Sequence, residues 1–213
     1  MLGPSGCGKS TLLRTVNRLV PLDAGSVEVD EHDVSRVDPV ELRRGIGYAI
    51  QAVGLFNHMT VAQNVGAVPS LLGWKRSEID ARVDELLKLV GLDPARYRDR
   101  RPRALSGGEA QRIGVARALA AKPGLLLMDE PFGAVDALVR AGLQREFARI
   151  VRELGTTTLF VTHDVDEALT LADRIVVMRD GRVEQAGAPG EMLELPATPY
   201  VRDLFALSRP GRA

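Results

Sequence analysis

Gly3-Pro4-Ser5-Gly6-Cys7-Gly8-Lys9-Ser10 fits the pattern G-x-x-x-x-G-K-[ST] at every fixed position. Its glycines let the backbone curl so that successive N–H groups point inward at the start of a helix, forming an anion nest. The helix adds a favourable field of about 0.3–1 kcal/mol, and the amides add direction. Lys9 is placed to reach β- and γ-phosphates, and the Ser10 hydroxyl to serve Mg²⁺, which prefers oxygen ligands. The duller alternative is a chance glycine-rich turn; the complete pattern with a helical sequence behind it argues against that. The loop reads as a nucleoside triphosphate cradle built from Gly3, Pro4, Ser5, Gly6, Cys7, Gly8, Lys9, Ser10 and Thr11. Cys7 falls where the pattern is free and reads as a spacer whose backbone N–H matters; the alternative is a thiol made alkylatable by the helix N-terminus.

Outward from the loop, the chain has 213 residues, one cysteine, and 28 basic against 28 acidic side chains. That length fits one domain with a proper core. Balanced charge advertises neither nucleic acid nor an anionic membrane. A lone cysteine excludes an internal disulfide framework, and no apolar run approaches the ~20 residues that span a bilayer. Short β-branched and aliphatic runs alternate with helical patterns. Strands are expected at Ser26–Val29, Ile46–Ile50, Leu125–Met128, Thr157–Val161, Arg174–Met178 and Arg182–Gln185, with Arg179-Asp180-Gly181 as a hairpin turn. Helices are expected over Lys9–Leu19, Ser77–Val90, Gly107–Ala121, Ala137–Leu154 and Val165–Ala172. Within Ser77–Val90, Ile79, Val83, Leu86, Leu87 and Val90 share a face, and Ser77 with Asp80 resembles a capping box. The alternation predicts an α/β fold with a largely parallel sheet. The stretch of roughly 60–120 lacks a strand signal and reads as a helical insertion.

Two further segments bear on chemistry. Leu125-Leu126-Leu127-Met128-Asp129-Glu130 is an apolar strand ending in paired carboxylates, whose side chains alternate faces and so divide the work. Asp129 is assigned to Mg²⁺ and Glu130 to deprotonating an attacking water, a role typically contributing ~10²–10⁴-fold. The competing reading is that both acids begin a solvated loop. Leu105-Ser106-Gly107-Gly108-Glu109 opens another helix and makes a second anion-seeking terminus. One nucleotide would use both termini if a second subunit's Ser106 and Gly108 closed over it opposite Lys9.

With these motifs in order, the chain resembles the ATP-binding cassette ATPases, the motor subunits of ABC transporters, over essentially its entire length. The resemblance implies a P-loop NTPase fold with a helical subdomain inserted near 60–120. LSGGE matches the family signature, Gln51 stands at the γ-phosphate- and Mg²⁺-sensing position, Ala134-Val135-Asp136 at the aspartate loop, and His163 at the switch histidine. Taken singly, Gln51 could be a loop residue, Asp136 a helix N-cap and His163 structural. As a set they imply catalysis by Glu130, His163 and Gln51, and Mg²⁺ at Ser10, Gln51 and Asp129. They imply ATP at the N-terminal loop, Gln51 and Asp129, with Ser106, Gly107, Gly108 and Asp136 acting in trans. Two copies would make a head-to-tail dimer with two complete sites.

The resemblance further implies permease subunits docking near Gly54-Leu55-Phe56-Asn57-His58-Met59-Thr60, although Asn57 replaces a proline common in relatives. It implies a position at the cytoplasmic face of the cell membrane, and indirectly a solute-binding protein. The wording Asn17-Arg18-Leu19, Asp38–Arg44, Gly54-Leu55-Phe56, Leu71-Leu72-Gly73-Trp74 and Asp129–Ala134 is similar to importer ATPases for glycine betaine, choline, carnitine or proline. The basic run Arg96, Arg98, Arg100, Arg101, Arg103 is read as a solvated face rather than a nucleic-acid patch, and His32 and His58 as surface residues.

Family members begin some tens of residues earlier, with strands bearing an adenine-stacking aromatic. The N-terminal antiparallel sheet is therefore expected to be truncated here, and the chain to be a shortened or misassigned start. Lost stacking of roughly 1–3 kcal/mol would weaken ATP about five- to a hundredfold. No C-terminal regulatory repeat domain is expected. The readings from other classes are a nucleotide-binding fragment without turnover and a soluble ABC-type ATPase acting on nucleic acid.

Overall fold

The structure, a computed structural model, describes residues 1–50, 54–133 and 135–206, with backbone alone at 137 and 138. The chain begins with α1 (Lys9–Val16), β1 (Glu28–Val29), β2 (His32–Asp33), α2 (Pro39–Gly45) and β3 (Ile46–Ala49). Next come α3 (Val61–Val65), α4 (Ala67–Leu71), α5 (Arg76–Leu89), α6 (Pro94–Tyr97) and α7 (Gly107–Leu119). It then runs through β4 (Leu125–Asp129), α8 (Ala137–Leu154), β5 (Thr157–Val161) and α9 (Val165–Leu171). β6 (Ile175–Arg179), β7 (Arg182–Gly187), α10 (Pro189–Glu194) and α11 (Pro199–Ala206) follow. Contacts divide it into two compact units, Met1–Leu22 with Phe160–Ala213, and Asp23–Leu159.

In the second unit the sheet order is β3-β4-β5, with β3 parallel to β4 and Tyr48 opposite Leu127. Leu126, Leu127 and Met128 are wholly buried, as an unbroken apolar run requires of a strand covered on both faces. Gly47 lets α7 come close: a Cβ there would lie 2.3 Å from the Ala118 carbonyl oxygen. The expected face of α5 is buried at Ile79, Val83, Leu86 and Leu87, with Val90 just beyond it.

The capping box at Ser77 and Asp80 is not formed. The helix begins one residue earlier, with the Lys75 N–H donating to Glu78 at 2.9 Å. Asp80 instead accepts from Arg76 and Arg98 at 3.0 and 2.7 Å. α7 is buried over most of its circumference, at Gln111, Ile113, Gly114, Val115, Ala116, Ala118 and Leu119. Its C-terminal carbonyls, Leu119 and Ala120, accept from buried Arg82 at 2.8 and 3.3 Å, satisfying groups that a helix end leaves unpaired.

The expected first strand shrinks to Glu28–Val29 and pairs antiparallel with β2. Asp30 and Glu31, at φ 50° and 64°, make the tight turn between them. α2 is not among the expected helices; Asp38 caps it by accepting from the Val40 and Glu41 amides at 2.8 and 3.0 Å, with Pro39 at its first position.

In the first unit α1 ends at Val16 rather than Leu19, because Arg18 turns left-handed at φ 55°. Leu2 makes parallel bridges to both Thr162 and Val177. It is fully buried in a core of Ala168, Ile175, Val177, Met192, Val201 and Phe205. Burying a leucine contributes about 1.5–3 kcal/mol, so this one residue anchors the loop that follows. β6 and β7 pair antiparallel around Asp180 and Gly181, at φ 49° and 76°, the hairpin the sequence predicts.

Candidate functional site

The phosphate loop belongs to the first unit, between bridged Leu2 and α1. Gly6 and Gly8 take φ 78° and 98°, a left-handed backbone that side chains oppose. Gly3 passes so close to β6 that a Cβ would sit 2.2 Å from the Met178 carbonyl oxygen. The Gly181 N–H donates to the Cys7 carbonyl at 3.2 Å, tying the hairpin turn to the loop. Cys7 is buried, as a spacer would be. Pro4, Ser5 and Gly6 are exposed, as is Thr11, while Ser10 is half-buried at the start of α1.

Lys9 is 6% exposed. Its ammonium donates to the Gly3 and Pro4 carbonyls, each at 2.8 Å, so the positive charge is held inside the loop rather than in solvent. Gly3→Ala is expected to shift this backbone at a cost of about 1–3 kcal/mol, as overpacking does. At roughly 2–4 °C per kcal/mol the melting temperature falls by several degrees. A parent-like melting curve by scanning fluorimetry would contradict the close approach.

Asp129 and Glu130 belong to the second unit. Asp129, ending β4, is 1% exposed. Glu130 follows at φ 49°, a conformation that costs a non-glycine residue about 1–3 kcal/mol and persists only where the surroundings impose it. The surroundings are explicit. The Glu130 carbonyl accepts from the Gln111 side-chain amide at 2.8 Å and from the Gly133 N–H at 3.2 Å. Sequence reasoning missed Gln111; its signal is a polar residue on the stripe of α7 shared with Val115, Ala118 and Leu119.

The Ser-Gly-Gly turn is in the second unit too, with Ser106 and Gly107 exposed at the N-terminus of α7. Ser106 caps the helix, accepting from the Glu109 N–H at 3.3 Å while its own N–H donates to the Glu109 carboxylate at 2.7 Å. The Tyr97 hydroxyl also donates to that carboxylate. These donors hold the Glu109 carboxyl below its usual range, the Tyr97 bond contributing most.

Asp136 is exposed, and its carbonyl accepts from the Arg140 N–H at 2.8 Å, so it does stand at the head of α8. His163 lies in the first unit, exposed, between bridged Thr162 and the α9 cap Asp164. Gln51 and Ala134 lie outside the described residues.

The segment 54–60 is held from below by residues that no motif flagged. Asn64, wholly buried, accepts from the Phe56 N–H at 2.7 Å and donates to the Phe56 and Thr60 carbonyls at 3.2 and 2.9 Å. Arg117 of α7 donates to the Gly54 carbonyl at 2.8 Å, with its guanidinium 5.7 Å from the Phe56 ring centre. The basic run is only partly a solvated face. Arg98 pairs with Asp84 and Asp80 at 2.6 and 2.7 Å, and Arg100 lies 4.5 Å over the Tyr97 ring. Arg101, Arg103, Asn57, His58 and Ala104 line a cleft of about 480 Å³.

Each unit by itself carries groups of the kind that a magnesium nucleotide takes. In the first unit the loop holds a cation, Lys9, beside the Ser10 hydroxyl; in the second unit Asp129 offers a carboxylate, and oxygens are the ligands Mg²⁺ takes. Among the described residues no group of three or more His, Cys, Asp or Glu could hold a metal. Among the same residues no helix is long and apolar enough to cross a membrane.

A family model described as "ABC transporter" matches residues 1–133. The chain is 51% identical over 208 residues to the glycine betaine/carnitine/choline transport ATP-binding protein OpuCA of Bacillus subtilis, covering 98% of this chain and 54% of that protein. It is 52% identical over 211 residues to the glycine betaine uptake system ATP-binding protein YehX of Escherichia coli, covering 99% and 68%. The chain thus spans about half the length of OpuCA and of the choline and carnitine transport relatives at similar identity. Among solved structures it is similar to the dimeric bacterial ABC transporter cassette MJ0796, with a TM-score of 0.81, 33% identity and 88% and 83% of the two chains covered. A post-hydrolysis state of that cassette bound to ADP and Pi gives a TM-score of 0.80 at 32% identity, again covering 88% and 83%. The expected α/β P-loop cassette fold is borne out.

Proposed function

The chain belongs to the ABC transporter family, and on that footing we propose that it is the ATP-hydrolysing subunit of an importer for quaternary-amine osmoprotectants. The observation that carries hydrolysis, rather than binding alone, is Glu130: a carboxylate at the end of β4, set in a left-handed backbone by two donors to its carbonyl. ATP supplies the transferable phosphoryl group, and Mg²⁺ offsets its charge. By the family's pattern, Lys9 would present a positive charge to the phosphates, the α1 amides would add directed donors, and Ser10 and Asp129 would offer oxygens to the metal. Glu130 takes the proton of the attacking water on its carboxylate. His163 and Gln51 assist by the family's pattern, and Asp136 with the Ser106-Gly107-Gly108 turn acts on the nucleotide of a second copy. The dimeric state of the similar cassette supports that pairing.

The segment 54–60, at the edge of the helical insertion at about 60–120, is proposed to receive a short helix of the permease, placing the protein at the cytoplasmic face of the membrane. The permease and a solute-binding protein would supply selectivity. Arg101 and Arg103 open on one cleft beside exposed Phe56, so the docking element of the permease is expected to carry a carboxylate.

The test is uptake of radiolabelled glycine betaine or choline by vesicles holding the cognate permease, with the full chain and ATP inside. ATP-dependent accumulation is expected. Reversing both arginines to glutamate places like charges across the contact, which costs several kcal/mol, and is expected to abolish most uptake and permease-stimulated hydrolysis. Absence of accumulation with every quaternary amine overturns the solute assignment. Unimpaired uptake by the double reversal overturns the docking cleft.

A further inference from the structure

We propose that Gln111 is a positioning residue for hydrolysis, holding the peptide carbonyl of Glu130 and thereby the direction of its carboxylate. The inference rests on the reading of Glu130 as the group that deprotonates water. Gln111 is nineteen positions away in sequence, and its amide nitrogen donates to the Glu130 carbonyl at 2.8 Å. The acceptor is a carbonyl oxygen, so the contact requires a donor and fixes which end of the amide points there. A side chain that can only accept would repel it.

The donor is preorganised. Gln111 is 4% exposed and rides on a helix buried over most of its circumference. The N-terminus of that helix is clasped by Ser106, Glu109 and Tyr97, and its C-terminus by Arg82. The glutamate it holds is not at rest in an ordinary backbone well, with φ at 49°. Freed from the amide, the Glu130 peptide can relax toward the right-handed or extended regions, which swings the carboxylate away from the line of attack. Displacements of that order cost about 10²-fold in rate even when no reacting group is altered.

The test uses the full chain and three variants, with phosphate release, ATP KM and ATP-dependent pairing measured on each. Gln111→Met keeps length and bulk without a donor; kcat is expected to fall about ten- to a hundredfold with KM and pairing little changed. Gln111→Glu is equally slow while its carboxyl is ionised. Its rate relative to the parent is expected to rise as the pH is lowered and the protonated acid regains an O–H donor. A purely structural glutamine would instead impair nucleotide binding and pairing together with rate, and would give no such pH-dependent recovery.

Glu130→Gln separates the layers. If it turns over like the parent, the reading of Glu130 fails and the proposal with it. If it is inactive while Gln111→Met keeps parental kcat, or while the Gln111→Glu ratio stays flat with pH, only the role of Gln111 is overturned. Should Gln111→Met not fold, the pH dependence of Gln111→Glu decides alone.

Discussion

Glu130→Gln is expected to lower ATP turnover by about 10²–10⁴-fold, the range for removing a positioned general base, while leaving nucleotide affinity and ATP-dependent pairing intact. The amide is isosteric with the carboxylate but takes no proton from water. The backbone explains why the substitution should be local. Glu130 is held through its main-chain carbonyl by Gln111 and the Gly133 N–H, so changing the side-chain terminus leaves both bonds in place. Nucleotide should therefore accumulate unhydrolysed on a paired protein. Phosphate release and light scattering measured together check this, and turnover close to that of the parent would remove Glu130 from the reaction.

Lys9→Met is expected to act at the earlier step. The ammonium is a charge-assisted donor within a loop that has no other side-chain cation, and such a bond contributes about 1.5–3 kcal/mol. That corresponds to roughly ten- to more than a hundredfold weaker nucleotide binding. The change also removes the braces from Lys9 to the Gly3 and Pro4 carbonyls, so the loop itself loosens and the loss should sit at the upper end. Titration with a fluorescent ATP analogue measures it. An unchanged dissociation constant would mean that the anion nest holds phosphate by backbone amides alone. The two variants are distinguishable: one binds without turning over, the other fails to bind.

Much of the fold and the site is legible in the order of residues, for local reasons. The phosphate loop declares itself because Gly6 and Gly8 must turn left-handed and few residue patterns permit that. β4 is visible because an unbroken aliphatic run suits a strand covered on both faces. α8 runs from Ala137 to Leu154 as its periodicity predicts. Where expectation fails, a distant partner intervenes. Asp80 has the spacing of a cap three residues from Ser77, but Arg98, eighteen residues on, takes it into an ion pair. α7 has an amphipathic pattern, yet its small residues admit neighbours on nearly every side: Gly47 closes on the Ala118 carbonyl, and Arg82 crosses to the helix end.

Chemical identity follows from residues close together in the chain: the glycine loop with its lysine, the paired acids, the Ser-Gly-Gly turn. Those units depend on dihedral preference and short-range spacing, which one line of letters carries. How Leu2 bridges to both Thr162 and Val177, how Gln111 restrains Glu130, and how Asn64 braces the Phe56 segment depend on contacts closed across intervening chain. Such contacts are set by packing and by the need to satisfy buried polar groups, and local sequence does not say which distant group will be the partner.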